Sequence, residues 1–197
     1  MCLLLETIRV KDGSFCHCGY HQKRMDHTRE TLFPGAEKLL ISDIEIPETF
    51  QSGIYKCRIV YDQELKRIQF SPYTPRQIRK LKLVDAGSLE YPFKYLNRSG
   101  IEQLQKGHAD FNEIILVKNG YITDTSFSNL AFLSDNKWFT PDNPLLNGTC
   151  RQRLIDKGII RPIPITPDNL CSFKFVSLIN AMLDLNDTVL PIEAIEL

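Results

Sequence analysis

The dipeptide Asn119-Gly120 constrains the fold of this chain more than any other feature, because it stands between two apolar runs. Both central positions of a type I′ turn need a positive φ angle, which Asn and Gly adopt readily, so a β-hairpin is predicted here. Its second strand should begin at Tyr121. Asp124 then falls where that strand ends, and the threonine and serine residues between positions 123 and 128 could satisfy a partly buried carboxylate.

A helix is predicted to follow, beginning at Asn147-Gly148-Thr149 and running to about Lys157. The first amide groups of a helix have no partner within it and lie at the positive end of its dipole. The amides of Thr149 and Cys150 could therefore bind an anion. Small polar residues before a helix are more often simple caps, however, and on spacing alone both interpretations stay open.

The order of residues from 120 to 151 resembles the signature of the class IV aminotransferases, the pyridoxal-phosphate enzymes of fold type IV. That signature reads Gly-x-(Val/Ile)-(Thr/Ala)-Glu-(Gly/Ala/Thr)-x-x-x-Asn, then Thr-Pro, then Gly-(Ile/Thr)-x-Arg. The matching residues are Gly120, Ile122, Thr123, Asp124, Thr125, Asn129, Thr140, Pro141, Gly148, Thr149 and Arg151. The family usually has Glu at the position of Asp124, whose side chain is shorter by about 1.5 Å.

The resemblance assigns the role of the catalytic lysine to Lys94. In the family this lysine stands at the start of the large domain, at about the spacing that separates Lys94 from Asp124. Without the resemblance, only the neighbouring rings of Tyr91, Phe93 and Tyr95 mark Lys94, because they could desolvate its amine and lower its pKa. A surface lysine is the plainer alternative. Tyr91 or Tyr95 is also expected to contact the cofactor ring or the substrate.

The resemblance also implies how pyridoxal 5'-phosphate (PLP) would be held. Lys94 would carry the cofactor covalently, and Asp124 would pair with the pyridine nitrogen. Arg24, the arginine of a His-x-x-Arg motif, would reach the phosphate, and the turn at 180–181 resembles the family's second phosphate-side loop. The cofactor-binding residues implied are Arg24, Lys94, Asp124, Gly148, Thr149, Cys150, Asn180 and Ala181.

The composition argues for a small-molecule partner. The chain has 24 Lys and Arg against 24 Asp and Glu, so net charge favours neither nucleic acid nor an anionic membrane. The apolar start is followed at once by Glu6 and lacks a basic leader, so we expect no signal peptide and no membrane span. A cytoplasmic protein that binds a small amino compound is predicted, with no nucleic-acid or membrane partner.

No metal site is expected, although Cys16, His17, Cys18 and His21 could all serve as ligands. Their spacing is too crowded for the usual zinc pattern, and no second pair lies where a closed site would need it. Instead, Cys16 and Cys18 are predicted to be reduced thiols on one face of a strand over 14–20, with a helix beginning at His21.

Two α/β domains are predicted for the 197 residues. Small, irregular residues between Asp85 and Pro92 favour a boundary there, with a small N-terminal domain at 1–88 and a larger one at 89–197 that carries the PLP lysine. The resemblance implies a two-domain fold-type IV architecture of α/β (α+β) class, with a shortened small domain and the cofactor between the domains. The family is usually dimeric, so a homodimer is expected.

Three functions are compatible with the motifs. The run Glu6 to Val10, the compact linker and Asn180-Ala181 most resemble the 4-amino-4-deoxychorismate lyase branch, which forms 4-aminobenzoate and pyruvate in folate biosynthesis. The D-amino acid and branched-chain aminotransferases share the motifs and are the alternatives. A non-catalytic PLP-binding protein is the third possibility.

Overall fold

The computed structural model describes residues 2–197, which divide into two compact units. The first unit runs to Pro75 and also includes Phe93–Asn97. The second comprises Arg76–Pro92 and Arg98–Leu197. Both are built mainly of β-sheet with few helices, so the chain has a mixed α/β fold.

Backbone pairing joins the segment around Lys94 to the first unit. Leu4 and Tyr95 form an antiparallel bridge, and the amide of Leu5 donates a hydrogen bond to the carbonyl of Lys94 at 2.9 Å. The limits of the compact units therefore differ from those of the predicted domains, 1–88 and 89–197. The reason is that the chain returns to its first strand after residue 92.

The first unit contains one antiparallel sheet and one α-helix. Its elements are β1 (Leu4–Lys11), β2 (Ser14–Phe15), α1 (Cys18–Leu32), β3 (Ile54–Tyr61) and β4 (Leu65–Pro72). The sheet has the order β2-β1-β3-β4. Alternate residues of β1 and β3, such as Ile8 and Ile59, pack with Met25 of α1 in a buried cluster on one face of this sheet.

Helix α1 begins at Cys18 rather than at His21. His17, the residue before the helix, adopts the left-handed conformation with φ 54° and ψ 33°, and β2 ends already at Phe15. The predicted strand over 14–20 is therefore wrong beyond Phe15, and Cys16 and Cys18 do not share a strand face.

The second unit contains two sheets that share one core. Its elements are β5 (Leu81–Asp85), α2 (Ser99–Lys106), β6 (Glu113–Lys118), β7 (Tyr121–Thr125), β8 (Asn129–Ser134), β9 (Lys137–Pro141), α3 (Thr149–Asp156), β10 (Ile160–Ile163), β11 (Phe175–Ile179), β12 (Val189–Pro191) and β13 (Ile195–Glu196). The sheet orders are β13-β5-β6-β7 and β10-β9-β8-β11-β12. Ile122 of the first sheet and Phe132 of the second lie in the same buried cluster.

The hairpin predicted at Asn119-Gly120 is confirmed. These residues have φ angles of 52° and 79°, and Lys118 pairs with Tyr121 across the turn. The turn therefore sets the register that brings Asp124 to the end of β7. Residues 2–197 contain no helix that combines the length and the apolar character of a transmembrane span.

Candidate active site

Asp124 is a buried carboxylate, and both of its oxygens accept hydrogen bonds. The side-chain amide of Asn129 donates to Oδ1 at 2.6 Å, and the backbone amide of Leu146 donates to Oδ2 at 2.8 Å. Burial raises the pKa of Asp124 to about 6, because these hydrogen bonds and the positive charge of Arg151 offset only part of the lost hydration. The carboxylate is therefore suited to a partner that carries a proton or a positive charge.

The hydroxyl residues beside Asp124 do not bind its carboxylate, although the sequence indicated that they could. Thr123 donates to a backbone carbonyl of β6 at 2.9 Å, and Thr125 and Ser128 bond each other through their hydroxyls at 2.8 Å. Neighbouring residues of a strand point to opposite faces, so Thr123 and Thr125 face away from Asp124. The bond between Thr125 and Ser128 instead shapes the turn that leads to Asn129.

Helix α3 begins beside this carboxylate. The carbonyl of Gly148 accepts from the amide of Gln152 at 2.9 Å, and Gly148, the residue before the helix, has no side chain with which to cap it. A Cβ atom on Gly148 would lie only 1.9 Å from Oδ1 of Asn129, so glycine is required for this approach. The Asn129 side chain thus contacts Asp124 at one end and the start of α3 at the other.

The side chain of Arg151 holds the two ends of the loop before α3. Arg151 donates to Oδ1 of Asn147 at 3.0 Å and to the carbonyl of Pro141 at 2.8 Å. Further along the helix, Arg153 donates to Asp184 at 2.6 Å and lies 3.5 Å from Sγ of Cys150. The predicted anion site, at the amides of Thr149 and Cys150, therefore lies at the start of a helix that is held by the bonds of Arg151 on one side and by those of Arg153 on the other.

Asn180 lies in a tight turn of the second unit. Its Oδ1 accepts from the amides of Met182 at 2.8 Å and Leu183 at 3.0 Å, and its Nδ2 donates to the carbonyl of Phe127 at 3.5 Å. These bonds shape the loop that contains Ala181. The roles of Asn180 and Ala181 toward a cofactor stay predictions.

In the first unit, Arg24 is held by Glu6. The guanidinium donates from Nε to Oε1 of Glu6 at 2.8 Å and from Nη2 to Oε2 at 2.6 Å, and Nδ1 of His21 lies 2.6 Å from Oε2. Burial alone would raise the pKa of Glu6, but the charge of Arg24 and the hydrogen bonds from His21 and Arg24 lower it to about 2. Glu6 therefore stays ionised and fixes the plane of the Arg24 guanidinium.

Glu6 is a residue whose role the sequence interpretation missed. It alternates with Leu4, Ile8 and Val10 along β1, so the period of two already placed it on the buried face. A charged residue in such a position needs partners, and the His-x-x-Arg motif supplies both of them from α1.

Lys94 lies near this group. Burial lowers the pKa of His21, and the positive charges of Arg24 and Lys94 lower it further. The side chains of Lys94 and His21 are therefore within Coulombic range of each other. Phe93 and Tyr95 flank it and pack edge to face with ring centroids 6.0 Å apart. Tyr91, by contrast, is buried in the second unit, so the two tyrosines predicted to contact the cofactor or substrate belong to different units.

The predicted residues thus fall into two groups, each organised within its own unit. The first unit holds Arg24, Lys94 and Tyr95, and the second holds Tyr91, Asp124, Gly148, Thr149, Cys150, Asn180 and Ala181. Within residues 2–197, no three His, Cys, Asp or Glu side chains are grouped so that they could hold a metal ion.

The sequence matches the family described as amino-transferase class IV over residues 3–195, so the chain belongs to that family. An uncharacterized protein of Haemophilus influenzae is 37% identical over 184 residues, which are 91% of this chain and 97% of that protein. The resemblance inferred from the motifs is confirmed. Members of the family depend on PLP.

Solved structures confirm the fold-type IV architecture. A Haemophilus somnus protein, provisionally named a 4-amino-4-deoxychorismate lyase, has a TM-score of 0.82 and 29% identity, covering 94% of this chain and 98% of that one. A Mesorhizobium loti protein, provisionally named an amino-acid aminotransferase, has a TM-score of 0.76 at 21% identity, covering 96% and 97%. A hypothetical aminotransferase of Mycobacterium tuberculosis in its PLP-bound form has a TM-score of 0.73 at 17% identity, covering 98% and 81%. The last two similarities concern the fold alone.

Proposed function

We propose that this chain binds PLP and acts on an amino compound, and that the compound is 4-amino-4-deoxychorismate. The observation that carries the proposal is the pairing, within the second unit, of the buried Asp124 with the start of α3. A carboxylate can accept a hydrogen bond from a protonated pyridine nitrogen, and the amino end of a helix suits a phosphate. Asn129, which touches both Asp124 and Gly148, holds the two in a fixed relation.

Each residue would have a distinct task. Bound PLP would supply an electron sink for the carbanion that forms when the substrate loses the proton beside its amino group. Lys94 would carry the cofactor and then take that proton on Nζ. Asp124 would keep the ring nitrogen protonated. Arg24, oriented by Glu6, would bind the phosphate by charge-assisted hydrogen bonds.

The lyase reaction fits these tasks and balances without a second reactant. Loss of the ring proton to Lys94 allows the bond between the ring carbon and the enolpyruvyl oxygen to break, and the electron pair leaves with the oxygen. The proton then returns to the methylene carbon of the leaving group, which gives pyruvate, and the ring remains as 4-aminobenzoate. The similarity to the Haemophilus somnus protein supports this choice.

The first experiment is a titration of the purified chain with PLP, followed by borohydride reduction and mass mapping of the modified residue. We expect the label on Lys94. A label elsewhere, or none, would refute the assignment of the lysine. The labelled preparation also tests the expected homodimer by sedimentation.

Transamination is the alternative, and product analysis separates the two reactions. The chain would be given aminodeoxychorismate alone, and separately D-alanine or leucine with 2-oxoglutarate. Formation of 4-aminobenzoate with pyruvate supports the lyase and a place in folate biosynthesis. Formation of glutamate supports the aminotransferase, and labelling of Lys94 without either product supports a binding protein.

A further inference from the structure

Two segments of the second unit that the proposed function assigns to the cofactor phosphate lie side by side. The first is the start of α3, and the second is the loop at 180–185, which follows β11 and contains the turn at 180–181. Sγ of Cys150, in the first turn of α3, lies 3.8 Å from the carbonyl oxygen of Leu183. The helix and the loop also share a buried apolar cluster, which contains Cys150, Leu154, Ile179 and Leu185. The loop therefore packs along the first two turns of α3.

An ion pair joins the same two segments. Nη2 of Arg153 donates to Oδ1 of Asp184 at 2.6 Å, and the side chain of Arg153 is only 9% exposed. Burial alone would lower the pKa of Arg153, but the hydrogen bond and charge of Asp184, together with Cys150, raise it. The backbone amide of Asp184 donates in turn to Oδ2 of Asp187 at 2.7 Å. The guanidinium thus fastens an internally bonded loop to α3, about one helical turn beyond the contact of Cys150.

This ion pair is separate from the residues that the family signature contains. The signature Gly-(Ile/Thr)-x-Arg ends at Arg151, and Arg153 stands two residues further along α3. Donors that bind an anion must keep their spacing, because hydrogen bonds weaken steeply when their geometry is lost. A bond that fixes the loop against the helix therefore has a consequence for any phosphate that the two segments hold together.

We propose that Arg153 and Asp184 are positioning residues for the cofactor phosphate, because their ion pair sets the spacing between the start of α3 and the loop at 180–185. The proposal rests on the proposed function, which places the phosphate at these segments. Loss of the ion pair would let the loop move and would weaken the phosphate contacts. Asp124 and Lys94, which are proposed to hold the ring nitrogen and the aldehyde carbon, belong to other elements and should keep their roles.

Equilibrium dialysis of the full-length chain with two probes tests the proposal. PLP carries the phosphate, and pyridoxal has the same ring and aldehyde without it. Arg153→Gln and Asp184→Asn should each weaken PLP binding about three- to tenfold, the effect of losing a partly exposed charged hydrogen bond, and leave pyridoxal binding within about twofold. The control variants Lys157→Gln and Asp156→Asn neutralise exposed charges at the end of α3 and should change neither affinity.

The two variants also separate positioning from a simple effect of charge. If the side chains acted on the phosphate only through their charges, Arg153→Gln would weaken PLP binding and Asp184→Asn would strengthen it. Because the proposal assigns the effect to the bond between them, both variants should weaken binding, and the double variant should be no weaker than either one. Arg153→Lys, which keeps the charge, should recover part of the affinity. Effects of opposite sign, or an equal loss for both probes, would overturn the proposal.

The wild type tests the proposed function separately. If it binds PLP more tightly than pyridoxal and borohydride labels Lys94, the proposed function is supported. Unchanged PLP affinity in Arg153→Gln and Asp184→Asn would then overturn only the positioning role. If the wild type binds PLP no more tightly than pyridoxal, the phosphate is not held and both proposals are refuted.

Discussion

Replacement of Glu6 by glutamine should destabilise the first unit, because Glu6 is the buried anion that Arg24 and His21 share. The carboxylate is fully buried and accepts from Nε and Nη2 of Arg24 at 2.8 and 2.6 Å. A glutamine would present an amide group to one of these donors and leave the guanidinium without its counter-charge. Removal of one partner of a buried ion pair typically costs about 3–5 kcal/mol.

The pKa of Glu6 gives a similar value for the contribution of this ion pair to stability. Its lowering from 4.5 to about 2, by Arg24 and His21 against the effect of burial, corresponds to about 3 kcal/mol. For a carboxyl with a lowered pKa, this stability is fully present above pH 4.5 and is lost as the pH falls toward 2. The difference in stability between the wild type and Glu6→Gln should therefore be largest near pH 7 and become smaller in acid.

Hydrogen exchange of the amides in β1 and β3 measures this effect within the first unit. At pH 7, exchange through unfolding should be about 300-fold faster in Glu6→Gln. Glu64→Gln is the matched control and should change little. Glu64 belongs to the same unit, but its side chain is 78% exposed and, among residues 2–197, pairs only with Lys66. Equal exchange in Glu6→Gln and wild type would show that the carboxylate does not stabilise the fold, and the reasoning would be refuted.

Three further results are expected in the second unit and at the lysine. Because burial raises the pKa of Asp124 from 3.8 to about 6, the folded state binds the extra proton, and stability without PLP should fall by about 3 kcal/mol as the pH rises from about 4 to 6. Urea unfolding at several pH values, followed by the fluorescence of the single tryptophan in β9, would measure this fall in stability. Asp124→Asn should abolish the dependence of the unfolding free energy on pH over this range. Gly148→Ala, whose Cβ would lie 1.9 Å from Asn129, should weaken PLP binding at least about tenfold in equilibrium dialysis. Lys94→Ala should bind PLP reversibly but retain no label after borohydride reduction, whereas a retained label would contradict the assignment.

Local rules in the sequence predict the parts of this fold that depend on neighbouring residues. Asn119-Gly120 forms the expected hairpin because its positive φ angles are a property of those two residues. Thr166 caps the helical turn that begins at Pro167, as the order Thr-Pro-Asp indicates. The start of α1 was mispredicted because it depends on a left-handed His17, and nothing in residues 14–20 signals that conformation.

The electrostatics of the candidate site depend on contacts that no local rule predicts. The sequence places Asp124 at the end of a strand, but the donors to its carboxylate are Asn129, from the next strand, and the amide of Leu146, from the loop before α3. Such partners are set by how β7, β8 and that loop pack. The family signature includes Asn129 without a role, and the structure supplies one.

The substitution of Asp for the usual Glu has a physical consequence for how a cofactor would bind. The shorter side chain of Asp124 accepts hydrogen bonds from two nearby donors. The side-chain amide of Asn129 bonds to one of its oxygens and the backbone amide of Leu146 bonds to the other, so each oxygen already uses one lone pair. These bonds leave the pKa near 6, so near pH 7 the ligand-free protein holds a buried carboxylate whose charge is only partly compensated. A protonated pyridine nitrogen would compensate it and lower that pKa, and by linkage PLP would bind more weakly as acid protonates Asp124. If the proposed function is right, the partly compensated charge of Asp124 would favour the binding of a cationic ring.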